Sequence, residues 1–239
     1  MLKTLLLKFR QSPVTLIKNG FLKYFILPAK YRHKGNDYDA ARYWQDRFYK
    51  YGKSLKGVGD EGLSEEQNQK MYAQAASVFQ GILQRGGIDL QKAKVLEIGC
   101  GTGFFTGILN ELGVNDYTGL DITDVLFDDL KRKFPHYKFI LRDITQAILP
   151  DKYDLIIMID VLEHIVDESK FNFAMDSIRQ VLTDNGIFLA GPLLKKRQKH
   201  LFHVHFWTVD DVRRKFPVFL ALDTIPFRNG FIVCMQNKK

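Results

Sequence analysis

Chemistry is concentrated in one short run, Val95-Leu96-Glu97-Ile98-Gly99-Cys100-Gly101-Thr102-Gly103, an apolar strand that leads into three glycines spaced by two. Glycines there let the backbone turn sharply and approach a bound ligand closely, in the crevice beside the strand ends. Twenty-two residues beyond Gly99, Asp121 ends a second apolar run, Tyr117-Thr118-Gly119-Leu120. A carboxylate at that place can accept both hydroxyls of a ribose, a binding logic shared by many nucleoside cofactors. The third run ends in Asp143 and the fourth in Asp160, so that with Glu97 acidic groups close four successive expected strands at one sheet edge. Two phosphate-binding patterns are absent: G-x-G-x-x-G would need glycine where Phe104 stands, and a P-loop would need Gly-Lys-Ser/Thr.

Together these segments resemble the class I S-adenosylmethionine-dependent methyltransferases, in particular the small-molecule group with a D-V-L-E-H segment, here Asp160 to His164, after strand four. The resemblance runs motif by motif over roughly residues 94 to 191 and reaches the tail less specifically. It implies S-adenosylmethionine as cofactor, with Glu97, Gly99, Gly101 and Gly103 at the methionine portion, Asp121 at the ribose hydroxyls, and Asp143 with Ile144 at the adenine. Ile122 is carried with them as a cofactor-binding position. Asp160 would sit beside the cofactor at the mouth of the substrate pocket.

His164 follows strand four, and His203-Val204-His205-Phe206-Trp207-Thr208 is similar to an H-V-x-x-F-T element that the family places over the acceptor. Either histidine, His164 or His203, could take a proton from a hydroxyl as the methyl passes, and either could equally be structural. His200, His203 and His205 lie in an expected loop with no accompanying ligand motif, so no metal is expected. Amine methyltransferases acting on DNA bases or protein glutamine commonly show N-P-P-Y after strand four, and its absence here disfavours a flipped base as substrate. The expected activity is methyl transfer from S-adenosylmethionine to a small-molecule, lipid or glycan acceptor, at oxygen. One alternative is a catalytically silent S-adenosylmethionine-binding subunit acting through partner or membrane recruitment; another is a nucleotide-sugar or nicotinamide enzyme on the same sheet.

These residues meet only if their strands lie side by side. Apolar runs at 94–98, 117–120, 137–141, 155–159 and 187–190 alternate with helical patterns at 104–112, 125–134 and 171–182, the rhythm of right-handed βαβ units. A further helix is expected at 208–216. Segments 218–223 and 231–235 are joined by too few residues for a crossover helix and should pair as a hairpin. The expected fold is therefore α/β: a Rossmann-like seven-stranded, mostly parallel sheet with helices on both faces and an antiparallel C-terminal hairpin strand.

Ahead of it, Tyr43, Trp44, Phe48 and Tyr51 suit a packed helix, and Ser64 with Gln67 forms a capping box that opens a second one through Met71, Ala75, Val78, Ile82 and Leu83. This stretch looks like the aromatic lid such enzymes fold over the cofactor. The run Lys195-Lys196-Arg197-Gln198-Lys199-His200 is read as a solvated loop, with a clamp for an anionic acceptor as the sharper alternative.

Charge divides the chain. The 239 residues carry a formal +8, and residues 1–35 hold 8 basic side chains and no acidic one, which leaves 27 of each sign in the other 204. A neutral body with a cationic arm disfavours a whole-domain nucleic-acid binder. Leu2, Leu5, Leu6 and Phe9 recur at helical spacing, Ser12-Pro13 reads as a helix start, and Val14, Ile17, Phe21 and Phe25 continue an apolar stripe up to Pro28. The arm either covers the lid or meets an anionic membrane surface. The organisation expected is an arm (1–35), a helical lid (36–92) and a core (93–239). Two cysteines and charges that interrupt the first apolar residues suit a cytoplasmic protein, with peripheral contact at the inner membrane face.

Overall fold

The computed structural model describes residues 20–33, 35–149 and 151–238, so the expected helix over Leu2 to Phe9 and the start at Ser12-Pro13 lie outside the described residues. Period-two burial explains why the central strands form as they do. In β4 (Tyr153–Ile159) the side chains of Leu155, Ile157 and Ile159 enter one apolar layer while Ile156 and Met158 enter the other. A strand buried on both faces reads as one continuous apolar run.

Around it, β1 (Lys94–Ile98), β2 (Asp116–Asp121), β3 (Lys138–Leu141) and β5 (Leu182–Leu193) lie parallel in the order β3-β2-β1-β4-β5. The sheet then takes β9 (Gly230–Asn237) antiparallel to β5, and β8 (Phe219–Phe227) antiparallel to β9, which makes the seven strands of the expected α/β fold. Only β9 is reversed. A separate hairpin pairs β6 (Gln198–Leu201) with β7 (Val204–Phe206). The expected loop at 195–200 is thus partly strand: polar Gln198, Lys199 and His200 are exposed on an edge that pairs through backbone alone.

Helices cover both faces. The first layer is filled by α4 (Glu65–Arg85), α5 (Phe104–Glu111) and α6 (Phe127–Lys133), whose Phe79, Leu109 and Leu130 pack on Val95 and Leu155. The second is filled by α7 (Glu168–Val181) and α8 (Val209–Lys215) through Met175, Ile178 and Val212. Local signals set the helix starts: Ser64 and Gln67 close the capping box on α4, Asp167 accepts from the amides of Ser169 and Lys170 on α7, and Thr208 with Asp211 caps α8.

The stretch expected as a lid, 36–92, opens with α2 (Ala40–Tyr51) and the short α3 (Leu55–Val58), preceded by a π-wound turn, Leu22–Ile26, that runs into α1 (Leu27–Tyr31). Pro28 therefore does not stop the arm's helix. It sits in the first turn of α1, where a missing N–H costs least, and the π-wound turn ahead of it absorbs the break in the ladder. Tyr31, Tyr38 and Tyr43 form a third, aromatic cluster with Trp44 and Phe202, which ties α1 and α2 to the β6–β7 hairpin. No helix among the described residues is long and apolar enough to cross a membrane.

Gly103 and Gly113 both take left-handed backbone, at φ 74° and 81°, and differ in the space around them. A Cβ on Gly103 would run into Leu130 and lie 3.3 Å from Phe134, whereas one on Gly113 would meet only Gln91 at 3.6 Å. Gly113→Ala should cost about 1 kcal/mol from backbone conformation alone, and Gly103→Ala about 2–3 kcal/mol because core side chains must also move. Urea unfolding of both variants, compared at unchanged m-value, checks the difference.

Candidate functional site

The glycine turn is shaped by its hydrogen bonds. The amides of Gly99 and Cys100 donate to the carbonyl of Leu120, at 2.6 and 3.1 Å, and the amide of Gly101 donates to Asp121 Oδ2 at 2.9 Å. All three glycines have positive φ, and a Cβ on Gly99 would collide with Val161. Asp121 is buried and its other oxygen accepts from the amide of Thr123 at 3.2 Å. Burial pushes its carboxyl up to about 6, against the pull of those backbone donors.

A cavity of about 1020 Å³ opens beside this turn, above the ends of β1, β2 and β4. Glu97, Gly99, Gly101, Asp121, Ile122, Asp143, Ile144, Asp160 and His164 all line it. Gly103 and His203 do not belong to its wall; Gly103 instead forms the left-handed entry to α5 against Leu130 and Phe134. The lid closes the other side with Tyr38, Trp44, Phe48, Val58 and Tyr72. An acid-lined cavity floored by a glycine turn suits a cationic nucleoside better than a phosphate-rich one, so these residues fit S-adenosylmethionine.

The four carboxylates are held differently. Glu97 points into the apolar layer under α5, where its Oε2 accepts from Thr106 Oγ1 at 2.8 Å and from the Tyr117 hydroxyl at 2.5 Å. Burial drives its carboxyl up to about 7, and those two hydroxyls oppose the rise. Asp143 Oδ1 accepts from the amide and hydroxyl of Thr145 at 2.8 and 2.7 Å, and Oδ2 from Gln146 at 2.7 Å, which fixes its loop. Asp160, left-handed at φ 57°, is clasped by Arg228, with Nε donating to Oδ1 at 2.7 Å and Nη2 to Oδ2. Burial raises Asp160 and the guanidinium opposes it. Beside the pair, burial and then the charge on Asp160 hold Glu163 well above the usual carboxylate range.

The rings of the two histidines stack with centroids 5.8 Å apart and their planes nearly parallel. His164 Nδ1 lies 3.0 Å from the carbonyl of His203, which can only accept. The neutral ring thus carries its proton on Nδ1 and leaves Nε2 as a base. Burial lowers His164 to about 4, against the His203 carbonyl. His203 Nε2 is engaged with the Tyr43 hydroxyl at 3.0 Å, and burial, with His164 nearby, lowers it to about 2. His205 is placed apart, against the carbonyl of Val166 and the ring of Trp207.

Residues without a sequence signal complete the site. Arg47 binds the carbonyls of Lys56, Gly57 and Gly59 and the Tyr43 hydroxyl, which locks α2 to α3. Arg228 comes from the β8–β9 turn, 68 residues from its partner Asp160, and lies over the rings of Tyr72 and Phe227. No spacing rule links such positions; only the topology does.

With this geometry the chain matches a known family over the part of the sheet that carries the turn, from β1 into β5. Residues 96–188 match the methyltransferase domain. Among curated relatives, the malonyl-[acyl-carrier protein] O-methyltransferase of Hamiltonella defensa subsp. Acyrthosiphon pisum (strain 5AT) is 26% identical over 175 residues, 69% of this chain and 65% of that one. The ribosomal protein L11 methyltransferase of Acetivibrio thermocellus is 24% identical over 112 residues, 45% of this chain and 34% of that one. The chain thus spans under two thirds of the length of these relatives.

In three dimensions the chain is similar to magnesium protoporphyrin IX methyltransferase from Synechocystis PCC 6803, solved with bound S-adenosylmethionine. That likeness has a TM-score of 0.62 at 19% identity and covers 86% of this chain and 99% of that one. The N-methyltransferase NodS from Bradyrhizobium japonicum WM9, solved with S-adenosylhomocysteine, gives a TM-score of 0.56 at 17% identity over 68% of this chain and 87% of that one. At such identities the likeness is one of fold.

Buried groups around the cavity give opposite pH signatures. His164 has a folded value below that of free imidazole, so the stability it contributes is full above about pH 6.5 and is lost as pH falls towards 4. Glu97 has a folded value above that of a free carboxyl, so its contribution is full below about pH 4.5 and is lost as pH rises through 7. His164→Gln should flatten the acid-side loss by up to about 1.4 kcal/mol per pH unit, and Glu97→Gln should gain on wild type by a similar slope from pH 4.5 to 7. Urea midpoints measured across pH 4–8 distinguish the two.

Proposed function

We propose that this protein is a class I methyltransferase that moves a methyl group from S-adenosylmethionine to a small-molecule, lipid or glycan acceptor, at oxygen. The observation that carries the reading is the convergence of Glu97, Asp121, Asp143 and Asp160 with the Gly99–Gly101 turn on one lidded cavity. When bound, S-adenosylmethionine supplies a methyl already activated on a sulfonium. The chain's own work is then alignment, exclusion of water and disposal of one proton.

Asp121 would hold the ribose hydroxyls with the lone pairs left free by its two backbone donors, and Ile122, Ile144 and Asp143 would flank the base. Glu97 and the glycine turn border the methionine end. Trp44, Phe48 and Val58 shut out water from the lid side. His164, uncharged at neutral pH and protonated on Nδ1, presents Nε2 to the acceptor hydroxyl and takes its proton. His203 is a positioning residue: its carbonyl fixes the His164 tautomer, and its own ring is spent on Tyr43. Asp160, already paired with Arg228, shapes the mouth rather than exchanging protons.

Calorimetry with S-adenosylhomocysteine and NAD tests the donor site. S-adenosylhomocysteine should bind and NAD should not, and Asp121→Ala should weaken the binding by more than ~1 kcal/mol, since hydrogen bonds to charged groups are worth about 1.5–3. Tight NAD binding alone would sink the reading. Label transfer from methyl-labelled cofactor into lipid, glycan and small-acid fractions of a cell extract tests the acceptor class, and products methylated at nitrogen or carbon would replace the oxygen assignment. On the labelled product, His164→Gln should lower kcat about 100-fold with KM for the cofactor unchanged.

A further inference from the structure

Ahead of the lid, four large apolar side chains stand in solvent within six residues: Phe21, Tyr24, Phe25 and Ile26 are 56%, 61%, 63% and 46% exposed. The rings of Phe21 and Phe25 stack on each other at 5.3 Å rather than on the core. Phe21, Tyr24 and Phe25 fall at i, i+3 and i+4, so the sequence builds this face deliberately rather than leaving single apolar residues at random.

The surroundings are cationic. A depression of about 760 Å³ beside this face is lined by Lys23, Tyr24, Arg32, Lys199 and His200 among others, and by no acidic side chain. Lys23 and Arg32 come from the arm, and Lys199 and His200 from β6, so the basic character is assembled from two parts of the chain. Val166 lines both this depression and the main cavity, so the two adjoin.

We infer that this face docks on an anionic lipid bilayer, with the aromatic side chains at the hydrocarbon boundary and the lysines and arginine among the headgroups. Aromatic rings are favoured at that depth, and each cation near an anionic surface is worth about fivefold in partitioning. A second copy would bring this like-charged face against itself, and a nucleic acid would satisfy the cations while leaving the apolar face wet. Sequence agrees: all 8 basic residues of the first 35 are without an acidic counterpart in that stretch. The inference is independent of the donor-site reading above.

Flotation of the full chain with vesicles tests it. Binding to phosphatidylcholine mixed with phosphatidylglycerol should exceed binding to phosphatidylcholine alone by at least about tenfold and should fall as salt is raised. Phe21→Ser/Phe25→Ser should lower it about tenfold or more, and Lys23→Glu/Arg32→Glu should lower it on mixed vesicles only. Leu220→Ser/Leu222→Ser, which removes a second exposed apolar patch on β8, should leave it unchanged. S-adenosylhomocysteine affinity should be the same in all three variants, which separates failure here from failure of the donor site. No vesicle binding, equal binding to both vesicle types, undiminished binding by the Phe21/Phe25 variant, or a concentration-dependent dimer that this variant abolishes would each overturn the assignment.

Discussion

Every part of this molecule answers to one constraint: carboxylates must lose much of their water where the parallel strands end, and a desolvated carboxylate without donors is costly. The chain supplies those donors from within. Asp121 takes the amides of Gly101 and Thr123, which makes the glycine turn and the acid one unit rather than a loop with a neighbour. Asp143 takes Thr145 and Gln146, Glu97 takes two hydroxyls, and Asp160 takes a guanidinium. Burial drives Glu97 and Asp121 towards neutrality, and it raises Asp160 too, against its guanidinium.

Much of this was legible before any coordinates. Period-two apolar runs and helix caps are local, so β1 and the helices beginning at Phe104 and Glu65 were placed almost to the residue. The glycine turn and strand-end acids were legible for the same reason, since type and spacing alone define them. What escaped the sequence was whatever depends on distant pairing. Arg228 reaches Asp160 only because β9 inserts between β5 and β8, and the His203 carbonyl reaches His164 only because the β6–β7 hairpin folds back. The hairpin itself was hidden because its polar strand pairs by backbone and carries no apolar alternation.

The lid is held by polar geometry more than by apolar mass. One guanidinium, Arg47, spans three carbonyls of the α2–α3 turn and the Tyr43 hydroxyl, and Tyr43 passes the connection on to His203. The aromatic cluster of Tyr31, Tyr38, Tyr43 and Phe202 packs around that relay. The cover over the cavity and the ring at its wall are therefore mechanically continuous, and the basic, apolar face of the arm begins one helical turn away.

The reversed strand also sets an order of events in time. Four of the strands that bound the cavity are complete by Ile159, but the partner of Asp160 lies 68 residues further along, in the turn that launches β9. At synthesis rates of about 5–20 residues per second that gap lasts on the order of several seconds, during which Asp160 lacks its guanidinium partner. The last hairpin is thus a completion step: until it docks, the cavity exists in outline with one wall charged and wet, and a chain cut short before residue 228 would present a binding site that never closes its own electrostatic circuit.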